Sequence, residues 1–123
     1  MAKPANLSEK LSAIASQYPE SVRQDQGSHA SFLVRKKVFA YFLNNHHNDG
    51  IISIACKVLP GDNKVLCDRD SKLFYLPAYI GPRGWVAMRL DQGKVDWEDV
   101  AELMLGSYTL TAPKTLVRQL KSR

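Results

Sequence analysis

The fold is decided by the stretch from residue 31 to residue 58, SFLVRKKVFAYFLNNHHNDGIISIACKV. It contains three runs rich in β-branched and aromatic residues, at Ser31–Val34, Lys37–Asn44 and Ile51–Val58. The first two runs flank the basic corner Arg35-Lys36, and the third follows Asp49-Gly50, a dipeptide typical of hairpin turns. The stretch therefore predicts three consecutive antiparallel strands.

The turns also predict the register of these strands. A two-residue turn at the basic corner places Phe32 opposite Phe39, and a loop at His46–Gly50 places Phe42 opposite Ile54. Cross-strand partners share a face and side chains alternate along each strand, so the residues fall into two sets. One face is apolar and is expected to lie under helices: Leu33, Val38, Ala40, Phe42, Ile52, Ile54, Cys56 and Val58. The other is mixed aromatic and basic and is expected to stay partly open: Phe32, Val34, Lys37, Phe39, Tyr41, Ser53, Ala55 and Lys57.

The length and composition predict one domain. The 123 residues, 45% of them hydrophobic, are enough for residues 1–123 to form a single core. No apolar run approaches the ~20 residues that a membrane span needs, and the first residues lack an apolar signal-peptide region. We therefore expect a cytoplasmic protein without a membrane segment. Cys56 on the predicted apolar face and Cys67 on a predicted helix fit this compartment, and no disulfide is expected.

The charge of the chain favours anionic partners. Its 17 basic and 12 acidic residues give a net charge of +5, which indicates attraction to polyanions. The basic residues are unevenly distributed: Arg23–Lys37 holds four bases and one acid, and Lys114–Arg123 holds four bases and no acid. Both segments are therefore candidate contacts for nucleic acid.

Apolar spacing and capping residues predict four helices. The first helix is predicted at Asn6–Gln17, with Asn6 as its cap, and the second runs from its cap Asp62 to about Asp68. The third is predicted at Asp96–Leu105 and ends at Gly106, and the fourth runs from Pro113 to about Leu120. Glu20–Ala30 is expected to be a polar connection with a short extended piece, and Ser107–Ala112 is expected to be a second connection.

Two further strands are predicted at Leu73–Ala78 and Gly84–Leu90. Pro77 lacks a backbone donor, so the first of them is expected at a sheet edge or with a bulge. In the last strand the aliphatic residues are assigned to the core, and Trp85 and Arg89 to the open face. The class is α+β: a two-layer sandwich with a five-stranded antiparallel sheet, in the order α-β(3)-α-β(2)-α with an extra C-terminal helix.

Several short motifs in a fixed order carry a family resemblance. They are PESV at 19–22, GSHASFLVRKKVFA at 27–40, GWV at 84–86, VDW at 95–97, SY at 107–108 and APK at 112–114. With these motifs the whole chain resembles the MmcQ/YjbR-like proteins. The resemblance implies this same order of elements in a compact fold comparable with frataxin and secretion chaperones. It also implies a DNA-binding label, which rests on the similarity of the fold to a double-wing domain of a phage transcription factor.

The resemblance implies no catalytic or ligand residues. One position departs from the family pattern, because relatives usually have glycine where this chain has Lys36. A tight turn there requires a positive φ, which lysine adopts only at a cost, so a looser corner with one more positive charge is expected.

Three groups of residues are candidates for nucleic-acid contact. The open face interleaves rings with cations, as single-stranded nucleic-acid platforms do: Phe32, Phe39, Tyr41 and Trp85 with Lys37, Lys57 and Arg89. The hairpin tip and a second turn would reach phosphates: Arg35, Lys36 and Lys37 with Arg83. The last helix carries cations on one face: Lys114, Arg118 and Lys121, with Arg123 just beyond.

Each group also has a structural alternative. The rings of the open face would be covered by the C-terminal helix, a dimer partner or a third layer, because large exposed apolar patches are uncommon on monomers. Charged hairpin tips are ordinarily solvated. Cations near a helix C-terminus suit its dipole.

The sequence predicts no metal, cofactor or reaction. His46 and His47 are adjacent, so they point differently, and no third ligand has metal spacing. A frataxin-like iron site would need an acidic first helix, which offers only Glu9. No base is predicted beside Cys56 or Cys67, and no nucleophile elbow, phosphate loop or dinucleotide motif occurs. An enzyme is therefore the least favoured class.

The leading hypothesis is a small binding protein that contacts DNA, or RNA, mainly through phosphate, as a monomer or weak homodimer. The alternative is a protein-interaction or homodimerisation module that uses the same aromatic face. A third hypothesis is a small-ligand pocket between the sheet and the last two helices.

Overall fold

The structure, a computed structural model, describes residues 3–121 apart from the side chain of His47. In this part of the chain the elements are α1 (Pro4–Ala15), β1 (Ser21–Gln26), β2 (His29–Val34), β3 (Lys37–Asn44), β4 (Ile52–Lys57), α2 (Asp62–Arg69), β5 (Phe74–Tyr75), β6 (Trp85–Arg89), α3 (Trp97–Thr111) and α4 (Lys114–Lys121). The six strands form one sheet in the order β1-β2-β3-β4-β6-β5, and all neighbours are antiparallel. The predicted α+β class is confirmed.

The helices cover one face of the sheet, here called the inner face. α3 packs across β3 and β4. Its buried Val100 and Met104 meet Leu11 of α1, Ile54 of β4 and Leu116 of α4 in one core. The opposite, outer face carries a second, smaller apolar cluster. The order of layers is therefore helices on one side of a sheet whose outer side is not covered by the described helices.

The first strand of the sheet was predicted as a polar connection. β1 pairs along its whole length with β2, from Ser21 opposite Val34 to Gln26 opposite His29. It is an edge strand whose side chains are mostly exposed, so it lacks the apolar alternation that marks a strand in sequence. The sheet consequently has six strands rather than five. β5 is the other edge, as expected, but it covers only Phe74–Tyr75 rather than Leu73–Ala78, so Pro77 lies beyond its end.

A β-bulge changes the faces of the first hairpin. Phe32 pairs with Ala40 and Leu33 with Val38, so Phe39 has no partner in β2. One extra residue reverses the faces of everything before it. The prediction was therefore wrong for six residues: the inner face has Phe32, Val34, Lys37 and Phe39, and the outer face has Leu33 and Val38. Beyond the bulge the predicted register is confirmed, with Phe42 opposite Ile54.

The basic corner is tight, contrary to the looser corner expected from Lys36. Arg35 and Lys36 have φ values of 50° and 68°, and Val34 still pairs with Lys37. Positive φ at both central residues is what a type I′ hairpin turn requires. The expected cost at lysine is therefore present, and the turn nevertheless closes on two residues.

Helix α3 is longer than predicted. It continues through Gly106 to Thr111, so the expected connection at Ser107–Ala112 is helical over most of its length. The reason is burial: Ser107 and Tyr108 are fully buried against the sheet, and this outweighs the roughly 1 kcal/mol that glycine costs inside a helix. The predicted cap at Asp96 is confirmed, because its carboxylate accepts from the N–H groups of Glu98 and Asp99.

Two other predicted caps are wrong. α1 begins two residues earlier than Asn6, at Pro4, with Lys3 as its N-cap. Proline is favoured at the first helical position because its missing N–H would have no partner there. α2 begins at Asp62 itself, and its N-cap is Gly61 with φ 87°.

Candidate nucleic-acid interface

The aromatic platform predicted on the open face is not present as expected. Phe39 lies in the inner core, its ring centroid 6.0 Å from that of Tyr18 and 5.4 Å from that of Tyr108. It is fully buried and unable to stack on a base. Its assignment to a nucleic-acid site is therefore wrong, and the physical cause is the bulge.

Tyr41 and Trp85 do lie on the outer face, and their ring centroids are 5.4 Å apart. Trp85 is only 9% exposed, because it packs in the cluster that includes Val38, Tyr75 and Ile80. Tyr41 is half-buried. The two rings therefore act mainly as packing residues and offer little area for stacking.

Arg89 is also on the outer face, but it is paired. Its Nε lies 2.9 Å from Oδ1 of Asp91, and its Nη2 lies 3.3 Å from Oδ2 of the same carboxylate. Burial alone would raise the pKa of Asp91, but the hydrogen bonds from Arg89 and from the N–H of Ile52 outweigh it and lower that pKa. Arg89 is therefore committed to a structural ion pair.

The strand register gathers the remaining cations. β2 ends at Val34 opposite Lys37, where β3 begins, and β4 ends at Lys57 opposite Trp85, where β6 begins. Because neighbouring strands are antiparallel, these four termini lie at one end of the sheet. The segments that meet there carry five exposed cations, here called the basic end: Lys36 and Lys37 at the hairpin tip, Lys57 at the end of β4, Lys64 in α2 and Arg83 in the loop before β6.

None of these five side chains forms an ion pair with a described residue. Arg35, the other member of the hairpin tip, is different, because both of its contacts go to the carboxylate of Glu20. Hydrogen bonding to Arg35 lowers the pKa of Glu20, and the same bond raises the pKa of Arg35. The hairpin tip therefore offers two uncommitted cations rather than three.

The end of α3 approaches the basic end. Ser107 accepts a hydrogen bond from the N–H of Lys57 at 2.9 Å, and Leu110 lines a groove with Lys57 and Arg83. Lys114 begins α4 three residues after α3 ends. Lys114 and Arg118 are exposed on the helical layer, and Arg118 lies a turn further on. Arg123, also considered in the sequence, lies outside the described residues.

Several acidic groups lie at the opposite end of the sheet, whereas Glu20 and Asp62 lie at the basic end. Asp91 follows β6 and accepts from the N–H of Ile52, where β4 begins, and Asp96 starts α3 beyond it. Asp49 lies in the loop before β4 and accepts from the N–H of Ile51. The two ends of the sheet therefore differ in charge, which the sequence positions alone did not indicate.

A groove beside the basic end was missed by the sequence. It has a volume of about 800 Å³ and is lined by, among others, Lys57, Lys64, Arg83, Leu59, Leu76 and Leu110. We call it the leucine groove. Its leucines come from three separate segments, two of them beside prolines in loops, so no periodic pattern marks them. The unusual exposure of single leucines is a tertiary property and has no signal in the sequence.

The histidine loop does not assemble a metal site from the described residues. Nδ1 of His29 accepts from the N–H of Asn44 at 3.1 Å, and its ring lies edge-on to that of His46 at 5.3 Å. No group of three His, Cys, Asp or Glu side chains is placed to hold a metal in the described part of the chain. His47, the neighbouring candidate, has no described side chain.

Both cysteines are free thiols. Cys56 is fully buried, and burial raises the pKa of its thiol far above the ordinary value. Burial, followed by the charge of Asp68, also raises the pKa of Cys67. Neither environment favours a thiolate.

None of the helices in residues 3–121 combines the length and apolar character needed to cross a bilayer. The fold and the basic end together define a small α+β domain with one polarised end and a sheet whose outer face is not covered by the described helices.

The chain belongs to the YjbR family, because the family model described as YjbR matches residues 16–110. This confirms the resemblance found in the sequence motifs.

A solved structure has the same fold. The crystal structure of the Deinococcus radiodurans protein DR2400, with a DUF419 domain, superimposes with a TM-score of 0.72 over 98% of this chain and 92% of that chain. The two sequences are 21% identical, so the likeness concerns the fold alone. No protein with a curated description matches the chain.

Proposed function

We propose that the chain is a cytoplasmic, non-enzymatic protein that binds the phosphate backbone of DNA or RNA through its basic end, with little sequence readout. The observation that supports this function is the register, which brings uncommitted cations from the hairpin tip, β4, α2 and the loop before β6 to one end of the sheet. Phosphate contacts position a protein on nucleic acid without reading the bases. The acidic opposite end would orient the molecule toward a polyanion.

The mode of binding is electrostatic rather than stacking. Phe39 is in the core and Trp85 is almost covered, so the affinity would come from counterion release. If all five cations of the basic end contact phosphates, the slope of log K against log salt is about −3.5 for a single strand and about −4.5 for a duplex.

The test compares two double variants of equal charge. Lys36→Gln with Lys57→Gln removes two cations of the basic end. Lys72→Gln with Lys94→Gln removes two exposed cations near the opposite end, one just before β5 and one after β6. Fluorescence anisotropy with labelled DNA and RNA, between about 50 and about 200 mM salt, gives the slope for each protein.

The first variant should lose about 1.4–1.8 from the magnitude of the slope, and the second should keep the wild-type value. Equal losses in the two variants would reduce the effect to net charge and contradict the proposed interface. Absent or salt-insensitive binding by the wild-type protein would contradict nucleic-acid binding itself.

A second candidate function is a protein interface on the outer face. On the described part of that face Arg89 is paired with Asp91, Lys57 lies at its edge within the basic end, and Val22 is exposed on the edge strand β1. A sheet face with few unpaired charges suits protein partners or a weak homodimer better than phosphate. Sedimentation at increasing concentration tests the homodimer, and a constant monomer mass would exclude it.

A further inference from the structure

We infer that the leucine groove holds an unpaired base of a single-stranded nucleic acid, so that the protein selects single strands over duplex. The inference rests on the proposed function, because it assigns a second contact to the same bound strand. It concerns residues that the phosphate contacts do not explain.

The walls of the groove are apolar and accessible. Leu59, Leu76 and Leu110 are 57%, 44% and 41% exposed, and all three line the same groove. Exposed leucines that cluster in one concave site indicate a binding surface rather than scattered surface residues. A flat heterocycle placed between them would remove apolar area from water on both sides.

The groove is held open by the fold itself. The side-chain amide of Asn63, which is buried, donates to the carbonyls of Gly81 at 3.0 Å and Trp85 at 3.2 Å. This joins the start of α2 to the opposite wall. On that wall a Cβ at Gly81 would come within 3.1 Å of Cβ of Leu76, a tighter contact than most Cβ atoms make, so glycine suits the close approach of the two segments. The site therefore exists before any ligand binds, which lowers the entropic cost of binding.

The charge of the groove selects an anion. Lys57, Lys64 and Arg83 line it, and none of the described lining residues is acidic. All three cations belong to the basic end, so a strand whose phosphates follow that end passes the mouth of the groove. A base attached to that strand can enter without losing the phosphate contacts.

A duplex cannot use the groove in this way, because its bases are stacked and paired inside the helix. A single strand presents unpaired bases, and apolar contact with them is tolerant of sequence. The consequence is selectivity for single strands without sequence preference.

The experiment separates bases from phosphates. Three labelled probes are compared at one salt concentration: a thymidine 12-mer, an abasic 12-mer with the same number of phosphates, and a 12-base-pair duplex. The thymidine strand should bind at least about fivefold more tightly than the abasic strand, which corresponds to about 1 kcal/mol. It should also bind more tightly than the duplex.

Two variants test the location of the base, and a third variant, on the same helix as Leu110, is the control. Leu59→Ser and Leu110→Ser, at exposed positions, should each reduce the preference for thymidine over the abasic strand to about twofold or less. Leu105→Ser changes a leucine of α3 that is 39% exposed and does not line this groove, and it should keep the full preference. Amide spectra of Gly81 and Gly84 report whether each variant keeps the groove.

The outcomes distinguish the inference from the proposed function. Equal binding of the thymidine and abasic strands, with normal salt dependence, would overturn the inference alone and leave the groove for another occupant such as an acidic apolar peptide. An unchanged preference in both folded groove variants would also overturn it. Absence of binding between the wild-type protein and all three probes would instead refute the proposed function.

Discussion

Glu20 and Arg35 form a bidentate ion pair in which both residues have left-handed backbone conformations. Nε of Arg35 lies 2.6 Å from Oε1 of Glu20, and Nη2 of Arg35 lies 2.8 Å from Oε2. The φ angle is 58° at Glu20 and 50° at Arg35. Ser21 pairs with Val34, so the ion pair closes the end of the β1–β2 ladder next to the hairpin turn. Arg35 is thereby held at the basic end but is partly neutralised by its partner.

Under the proposed function, replacing Glu20 should strengthen binding to nucleic acid. Glu20→Gln leaves the Arg35 guanidinium without a charged partner, so one more phosphate contact becomes available at the hairpin tip. The slope of log K against log salt should become steeper by about 0.7–0.9, as measured by anisotropy titrations.

The matched control is Glu9→Gln. Glu9 pairs with Arg23 at 3.2 Å, and Arg23 lies opposite Phe32, away from the hairpin tip. The substitution changes the net charge by the same amount, and the slope should stay at the wild-type value. A similar change in both variants would mean that the added charge acts through the whole molecule rather than at the tip.

Lys36→Gly should stabilise the protein. Lys36 has a φ of 68°, which costs a side-chain-bearing residue about 1 kcal/mol and costs glycine little. Lys36→Ala removes the same charge but keeps the strain. Urea denaturation should therefore give Lys36→Gly a free energy of unfolding about 1 kcal/mol above that of Lys36→Ala. Equal stability of the two variants would show that the turn relaxes.

Ser107→Ala should destabilise the fold strongly. The Ser107 hydroxyl donates to the carbonyl of Phe39, the bulged residue, and accepts from the N–H of Lys57. Alanine leaves the buried carbonyl of Phe39 and the partly buried N–H of Lys57 without this partner, which should lower the free energy of unfolding by about 2–4 kcal/mol.

The control for Ser107 is Thr109→Ala on the same helix. Thr109 bonds within the helix to the carbonyl of Gly106 at an exposed position. Its removal should cost about 0.5 kcal/mol or less by urea denaturation. Comparable losses for the two variants would show that Ser107 does not bridge the strands.

The fold was predictable from the sequence where only one strand register fitted the alternation of apolar and polar residues. In β4 the alternation and the preceding Asp49-Gly50 agree, and the pairing of Phe42 with Ile54 is confirmed. In β2 the residues Phe32-Leu33-Val34 are all apolar, so the pattern fits either face and contains no sign of a bulge. The face of Phe39 was decided by packing against α3, which a strand pattern does not include.

The cations of the candidate site were predictable from the sequence, but their location together at one end of the sheet was not. Lys36, Lys57 and Arg83 were identified from their residue type and positions in turns and strands. Their assembly at one end depends on the register of four strands. The burial of Trp85 depends on Ile80, which packs against it from the loop before β6. Contacts of this kind come from tertiary structure and leave no periodic signal in the chain.

Tyr18 should make stability fall at high pH. Burial, and secondarily the nearby Cys56, raises the pKa of Tyr18 from 10.0 to about 12. The folded protein therefore holds the phenol proton more tightly than the unfolded chain does. The stability due to this difference is complete below about pH 10 and is lost as the pH rises toward about 12.

Tyr18→Phe isolates this effect. The phenol oxygen lies 3.5 Å from the carbonyl of Ala101, a contact at the limit of hydrogen bonding, so at neutral pH the variant should be nearly as stable as the wild type. Urea denaturation at several pH values should show the wild-type free energy of unfolding falling more steeply than that of the variant between about pH 10 and about pH 12. Parallel curves over that interval would mean that Tyr18 titrates alike in the folded and unfolded chains, and that its burial beneath α3 does not exclude water from the phenol.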